Sequence, residues 1–216
     1  MIEKRIKEIR DSINKNVELV AVSKTKSNKE ILEAYNAGQK VFGENKIQEM
    51  TKKHEELPKD IQWHMVGHVQ SNKIKYMAPY VDLVHGIDSL KSVKILNKEA
   101  KKNNRIIKCL LQLKISEEFT KFGLSEKEIE LILNSINILG LKNISVVGIM
   151  TIGSFTNNMS IVVKEFDKTK KIFDNLKSTF PSLKILSMGM SNDYKIAIKH
   201  GSNMIRVGSL IFGKRI

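Results

Sequence analysis

Residues 17–24, VELVAVSK, form an apolar run typical of a buried β-strand, and the run ends in a lysine. Ser27 follows as a favourable N-cap for a helix. The segment therefore predicts a strand, a short turn and a helix, with Lys24 at the exit of the strand. Because ammonium groups are rarely buried, a lysine at this place is a candidate nucleophile. Lysine nucleophiles commonly form Schiff bases with carbonyl compounds.

This alternation of strand and helix continues to the end of the chain. Eight β-like runs occupy residues 18–23, 39–42, 62–66, 81–86, 106–115, 145–152, 184–187 and 204–207. Segments with helical spacing lie between them, at 27–37, 44–56, 71–77, 89–102, 125–139, 159–178 and 191–200. Five of them begin near a serine that predicts an N-cap, namely Ser27, Ser71, Ser89, Ser125 and Ser191. Gly38 and Gly201 stand where C-terminal glycine caps are expected.

The repeat predicts an α/β fold with one parallel sheet. Eight strands in about 200 residues favour a closed (β/α)8 barrel of the TIM type. An open, doubly wound sheet is the alternative, but no G-x-G-x-x-G motif follows the first strand. The segment before residue 17 predicts an extra N-terminal helix. Since the chain has three prolines and no linker rich in Pro, Gly or Ser, we expect residues 1–216 to form a single domain.

The composition argues against several classes of protein. Residues 1–13 are charged and amphipathic, so we expect no secretory signal, and no later run has the roughly 20 apolar residues of a membrane span. The lone cysteine, Cys109, lies in an apolar run, which predicts a buried thiol and a cytoplasmic protein. The net charge of +14 comes mainly from lysines on several predicted helices. Such scatter favours a solvated surface over a nucleic-acid groove.

Small and polar residues follow the last two predicted strands. Strand seven exits into SMGMS, residues 187–191, and strand eight exits through RVGS, residues 206–209. In a (β/α)8 barrel the active site lies at the carboxyl ends of the strands, and a phosphate commonly binds after strands seven and eight. The glycines and hydroxyls of these two turns therefore predict a phosphate site, with ordinary tight turns as the alternative.

Polar side chains also follow strands two, three and six, in FGEN (42–45), WHMVGH (63–68) and Met150-Thr151. We interpret His64 and His68 as structural histidines bonded to neighbouring strands or to a helix cap, and Trp63 as a packing residue or a lid. No metal site is expected, because Cys109 is isolated and no H-E-x-x-H motif is present.

Six segments together resemble one known family. They are AVSKTK (21–26), FGENKIQE (42–49), WHMVGHVQSNK (63–73), GIMTIG (148–153), LSMGMSNDYKIAI (186–198) and MIRVGSLIFG (204–213). Their order and spacing are similar to those of the YggS/PROSC family of pyridoxal phosphate homeostasis proteins. The resemblance implies a barrel like the N-terminal domain of alanine racemase, which holds pyridoxal 5′-phosphate (PLP) as a Schiff base.

The resemblance also implies a cofactor site made of Lys24, Asn45, Ser191, Arg206, Gly208 and Ser209. Lys24 matches the Schiff-base lysine, and Ser191, Gly208 and Ser209 match the phosphate cradle. Arg206 matches the residue that faces the pyridine nitrogen, and Asn45 matches a contact at the side of the ring. Residues 120–123 resemble the loop after strand five, with Lys121 outside the first contacts. A guanidinium group has no acceptor, so Arg206 should keep the ring nitrogen unprotonated and the cofactor a poor electron sink.

Two functions compete on this basis. The first is a PLP carrier that contributes to vitamin B6 homeostasis without robust turnover, with PLP-dependent apo-enzymes as candidate recipients. The second is a weak PLP-dependent amino-acid racemase, which needs a second acid or base opposite Lys24. The four tyrosines, Tyr35, Tyr76, Tyr80 and Tyr194, all lie away from the predicted strand exits. We therefore expect a carrier with no catalytic residues, and a monomer because no apolar seam is evident. A nucleic-acid binder is the third and least favoured interpretation.

Overall fold

Eight parallel strands close into one barrel in a computed structural model that describes residues 1–115 and 123–213. The strands are β1 (Glu18–Val22), β2 (Val41–Glu44), β3 (Gln62–Met65), β4 (Leu83–Ile87), β5 (Ile107–Leu113), β6 (Ile144–Thr151), β7 (Ile185–Met190) and β8 (Met204–Val207). They follow chain order around the barrel, and β1 pairs with both β2 and β8. The predicted α/β fold, a closed (β/α)8 barrel, is confirmed.

Helices surround this barrel. They are α1 (Ile2–Asp11), α2 (Asn28–Asn36), α3 (Ile47–Glu56), α4 (Ile74–Met77), α5 (Leu90–Lys102), α6 (Glu126–Ile138), α7 (Met159–Thr179), α8 (Tyr194–Lys199) and α9 (Ser209–Phe212), with a 3₁₀ turn at Ser71–Lys73. Helix α9 was not predicted from the sequence. In the described part of the chain, no helix combines the length and the apolar character needed to cross a membrane.

Several of the predicted cap residues do cap their helices. Ser27 and Ser125 each form a capping box with the glutamate three residues on, and Ser89 accepts from the amide of Ser92. Gly38 has φ +85° after α2, the left-handed conformation of a C-terminal glycine cap. The prediction for Ser71 was wrong, since the 3₁₀ turn already contains this residue and its cap position is Gln70.

Both ends of β2 differ from the predicted strand by two residues. The strand begins at Val41, after the buried Gln39, whose side-chain amide donates to the carbonyls of Leu19 in β1 (2.8 Å) and Val41 in β2 (2.7 Å). The same strand continues to Glu44, whose carbonyl accepts from the amide of Val66 at 2.8 Å. Helix α3 therefore starts at Ile47, three residues later than predicted, and Asn45 lies in the turn at the barrel mouth.

The apolar core has two parts. The larger part lies between the strands and the helices and contains Trp63, whose ring packs 6.0 Å from that of Phe42, so Trp63 is a packing residue and not a lid. The smaller part fills the barrel with Val20, Val41, Leu83, Leu110, Met150 and Met204. Cys109 is fully buried, as predicted, and burial raises the pKa of its thiol to about 12.

The predicted N-terminal helix is present as α1 and supports the last turn of the chain. Its apolar face buries Ile2, Ile6 and Ile9. Arg5 donates to the carbonyl of Ile211 in α9 at 3.2 Å. Helix α1 thereby fixes α9, which begins immediately after β8 at the mouth of the barrel.

Candidate functional site

A cavity of about 620 Å³ opens at the carboxyl ends of the strands, where this class of barrel binds its ligands. Its wall includes all six residues predicted to form the site: Lys24, Asn45, Ser191, Arg206, Gly208 and Ser209. They come from the exits of β1, β2, β7 and β8. The barrel thus brings together residues that are up to 185 positions apart in the chain.

A buried ion-pair cluster lies beneath the β1 exit. Lys53 of α3 contacts Glu44 Oε1 at 2.8 Å and Glu49 Oε1 at 2.7 Å. The Glu44 side chain is fully buried, and that of Lys53 is 6% exposed. Burial raises the pKa of Glu44, while the charge of Lys53 opposes this shift. The ammonium of Lys53 is therefore the main group that keeps a carboxylate in this position.

The same cluster holds the residues on both sides of Lys24. Ser23 donates its hydroxyl to Glu44 Oε1 at 2.5 Å, and its carbonyl accepts from Lys53 at 2.9 Å. Thr25, which has a φ of +67°, donates its amide to Glu49 Oε1 at 2.6 Å. Because Ser23 and Thr25 are both fixed, the backbone of Lys24 has one orientation at the cavity wall.

A cradle of small residues lies at the exits of β7 and β8, next to the exit of β1, because β8 pairs with β1. The Gly208 amide donates to Ser191 Oγ at 3.2 Å, which joins the exits of β7 and β8. A Cβ at position 208 would lie 3.1 Å from the carbonyl oxygen of Val22, so glycine permits a close approach to β1. Helix α9 begins at Ser209, and the first amides of a helix have no partner within it. This wall suits an anion.

Ser191 does not cap a helix, contrary to the sequence prediction. The carboxylate of Asp193 accepts from the amide of Met190 at 2.5 Å, and the amide of Asp193 donates to the carbonyl of Met190 at 3.1 Å. This closed turn delays α8 to Tyr194. Ser191 lies inside the turn, and its hydroxyl is directed to Gly208.

Arg206 is a buried cation at one side of the cavity. It donates through Nη1 to Ser187 Oγ at 2.6 Å and through Nη2 to the carbonyl of Thr151 at 2.8 Å. Only 5% of the residue is exposed. Burial lowers its pKa to about 10, and Asp193 opposes the shift, so the guanidinium stays charged at neutral pH.

Asn45 and the loop after β6 complete the wall. A Cβ at position 67 would lie 2.6 Å from the carbonyl oxygen of Asn45. Only glycine at this position therefore leaves room for the backbone of Asn45. The loop after β6 contributes Ser154, which Glu165 holds at 2.8 and 2.5 Å, and Phe155, which is 93% exposed. The sequence analysis singled out residues 148–153 in this region but neither Ser154 nor Phe155. Within the resembling loop 120–123, residues 120–122 lie outside the described residues.

His64 and His68 contact different partners, although they are four residues apart. His64 Nδ1 lies 3.1 Å from Nε2 of His85 inside the barrel, and His68 Nδ1 lies 3.0 Å from Asp88 at the mouth. The interpretation of His64 as a structural histidine bonded to a neighbouring strand is confirmed. Burial lowers the pKa of His64 to about 3, helped by Lys108, and lowers that of His85 as well, helped by His64 and Arg206.

These two histidines predict a loss of stability in mild acid. The unfolded chain binds a proton at each histidine below its ordinary pKa of about 6.5, while the folded chain does not, so stability falls as pH decreases. Between pH 7 and 5.5 we expect a loss of about 1 kcal/mol for each histidine. Urea unfolding across this range measures the slope, and His85→Asn should remove about half of it. An unchanged slope would show that His85 is charged in the folded protein.

All four tyrosines lie outside the cavity wall, and three of them make hydrogen bonds elsewhere. Tyr35 donates to Asp60 at 2.7 Å, Tyr80 lies 3.0 Å from Thr51, and the hydroxyl of Tyr194 lies 3.1 Å from Ser12. Tyr76 is in α4, about half exposed. None of the four lies on the cavity wall.

Comparison with known proteins identifies the family. The model of the alanine racemase N-terminal domain matches residues 1–215. The pyridoxal phosphate homeostasis protein of Vibrio alginolyticus is 39% identical over 93% of this chain and 87% of its own, and that of Aquifex aeolicus is 37% identical over 91% and 86%. Among solved structures, PipY of Synechococcus elongatus with PLP bound has a TM-score of 0.91 and 32% identity, covering 99% of this chain and all of PipY. An alanine racemase of Clostridium difficile, at 15% identity and a TM-score of 0.76, shares the fold. The chain therefore belongs to the alanine racemase N-terminal domain family and, within it, to the pyridoxal phosphate homeostasis proteins.

Proposed function

We propose that this protein binds PLP in the cavity, holds it through Lys24, and serves as a carrier in PLP homeostasis without robust turnover. One observation carries the proposal: Lys24 and the cradle of Ser191, Gly208 and Ser209 line the same cavity, with Arg206 in its wall. A PLP-binding relative, PipY, has the same fold over nearly the whole chain.

The residues present fit this cofactor. The close approach at Gly208 and the first turn of α9 form a small concave wall that suits the phosphate. Lys24 is half-buried in the cavity wall, two residues after the end of β1, and the residues on both sides of it are held by hydrogen bonds. The guanidinium of Arg206 offers donors and no acceptor, which suits an unprotonated pyridine nitrogen.

When bound, PLP supplies an aldehyde that an amine binds covalently with loss of water, and a ring that draws electrons from attached groups. The role of Lys24 is to provide that amine at a fixed position. Arg206 would hold the ring through a donated hydrogen bond. Because its pKa of about 10 keeps it charged, it does not give the ring nitrogen a proton at neutral pH. This limits the electron withdrawal on which amino-acid chemistry depends.

The placement of the tyrosines favours a carrier over a racemase. Racemisation needs an acid or base on each side of the substrate carbon, and Lys24 supplies one side. All four tyrosine side chains lie off the cavity wall. The racemase alternative therefore has no tyrosine to complete it within this chain. We extend the proposal to a single domain over residues 1–216, a monomer, a cytoplasmic location, and PLP-dependent apo-enzymes as recipients.

The test is spectroscopic and chemical. Purified protein mixed with PLP should show a visible absorbance band, and borohydride should fix a pyridoxyl group on the peptide that contains Lys24. Labelling of another lysine would refute the site. Formation of D-amino acids by the purified protein, abolished by Lys24→Ala, would favour the racemase.

Arg206→Ala should separate binding of the ring from covalent attachment. We expect labelling of Lys24 to persist at saturating PLP, while affinity falls about tenfold because a charged hydrogen-bond donor is lost. Equilibrium dialysis measures the affinity. Arg105→Ala is the matched control, since Arg105 also donates two hydrogen bonds, to the carbonyls of Ala78 at 2.7 Å and Val81 at 2.8 Å, but lies away from the cavity. Equal affinity for Arg206→Ala and wild type would contradict the role of Arg206.

A further inference from the structure

A row of buried polar side chains runs from Arg206 into the barrel. Arg206 contacts Ser187 Oγ at 2.6 Å, Ser187 Oγ lies 3.4 Å from His85 Nδ1, and His85 Nε2 lies 3.1 Å from His64 Nδ1. Ser187 and His85 are fully buried, and His64 is 6% exposed. Ser187, His85 and His64 are absent from the cavity wall. They therefore contact a ligand only through Arg206.

The direction of the first hydrogen bond follows from the donor. A guanidinium group can only donate, so Ser187 Oγ accepts from Arg206 and keeps its own proton, which we assign to the hydrogen bond with His85 Nδ1. His85 is then protonated at Nε2 and donates to Nδ1 of His64. Every hydrogen in the row points away from the cavity.

Burial and the charges at the two ends keep this arrangement fixed. Burial is the main reason that neither histidine takes up a proton. The charge of Arg206 adds to this effect at His85, and the charge of Lys108 adds to it at His64. Both pKa values lie below the ordinary range, so the pair stays neutral and retains its acceptor nitrogens. A charged pair would lose the acceptor that Ser187 needs.

We propose that His85 and His64 are positioning residues that act through Ser187 to hold the Arg206 guanidinium against the bound cofactor. This inference rests on the proposed function, since it assumes that Arg206 contacts PLP. Without an acceptor on His85, the Ser187 hydroxyl has to turn towards another acceptor. This rotation moves the lone pair that accepts from Arg206, so the guanidinium is no longer held in one position. The expected effect therefore decreases from Ser187 to His85 to His64.

The test is a double-mutant cycle with PLP affinity and the absorbance spectrum as readouts. His85→Leu should lower affinity about fivefold, the typical effect of one neutral hydrogen bond and less than the loss in Arg206→Ala, and change the ratio of the visible bands. In the Arg206→Ala background it should change affinity less than twofold. His85→Asn keeps an acceptor near the position of Nδ1 and should restore affinity to within about twofold of wild type.

Leu83→Ala is the control for packing, because Leu83 is also in β4 and inside the barrel but outside the row. It should lower the unfolding midpoint without changing affinity or spectrum. Ser187→Ala, a smaller change, covers the case in which His85→Leu does not fold. Additive effects of His85→Leu and Arg206→Ala, or equal losses in His85→Leu and His85→Asn, would overturn the inference. If wild type takes up no PLP, the proposed function itself fails; if wild type binds PLP and His85→Leu binds equally well, only this inference fails.

Discussion

Lys24→Ala is expected to abolish the visible absorbance band and all borohydride-stable labelling. The reason is that Lys24 provides the amine whose position the flanking residues fix, through the hydrogen bonds of Ser23 and Thr25 to the cluster below. Affinity for PLP should fall at least 100-fold, or about 2.8 kcal/mol, since only the phosphate and ring contacts remain. Equilibrium dialysis and mass spectrometry of the reduced protein measure the two effects.

Two variants make this result specific. Lys26→Ala removes a second lysine of the cavity wall, which bonds to the Phe212 carbonyl at 3.2 Å, and labelling of Lys24 should persist. Lys24→Arg keeps the charge without a primary amine and should behave like Lys24→Ala. The unfolding free energy without PLP should change by less than about 0.5 kcal/mol in Lys24→Ala, as for other substitutions outside the core. Persistent labelling in Lys24→Ala would reassign the anchor to another lysine.

The fold could be predicted because strand and helix periods alternate along most of the chain. Two of the errors lie where a single side chain makes hydrogen bonds that the period does not show. The Gln39 side chain donates to one carbonyl in β1 and one in β2, and the Asp193 carboxylate closes a turn that displaces the start of α8. Such side-chain hydrogen bonds compete with the backbone bonds of strands and helices. Their partners are set by the three-dimensional fold, so the sequence pattern does not reveal them.

The candidate site was predictable in part for a related reason. Lys24, Arg206 and the cradle stand at strand exits, and the barrel topology converts strand exits into neighbours. Ser187 in β7 and His85 in β4 lie inside the barrel, and 102 residues separate them. Nothing local to either residue indicates that they meet. The cavity contribution of Phe155 was missed because a lone aromatic residue in a loop has no period.

The buried cluster below Lys24 shows why the site needs a charged support. Lys53→Met leaves the Glu44 carboxylate buried without its cation, and Glu44 Oε2 already has no hydrogen-bond partner among the described residues. Removal of one member of a buried pair typically costs about 3–5 kcal/mol, so we expect this loss in urea unfolding at pH 7. The loss should become smaller as pH falls, because burial raises the pKa of Glu44 and a protonated carboxyl needs no cation.

The double variant Glu44→Gln/Lys53→Met isolates the charge from the packing. It removes both charges and leaves shapes of similar volume, so most of the lost stability should return. Its affinity for PLP should nevertheless stay below that of wild type, because Lys53 no longer holds the Ser23 carbonyl, which it contacts at 2.9 Å beside Lys24. Lys40→Met, which breaks an exposed pair with Asp60 at 2.7 Å, is the matched control and should change the unfolding free energy very little. If Lys53→Met were no more destabilising than Lys40→Met, the Glu44 carboxyl would be neutral in the folded protein and the cluster would orient Lys24 without charge.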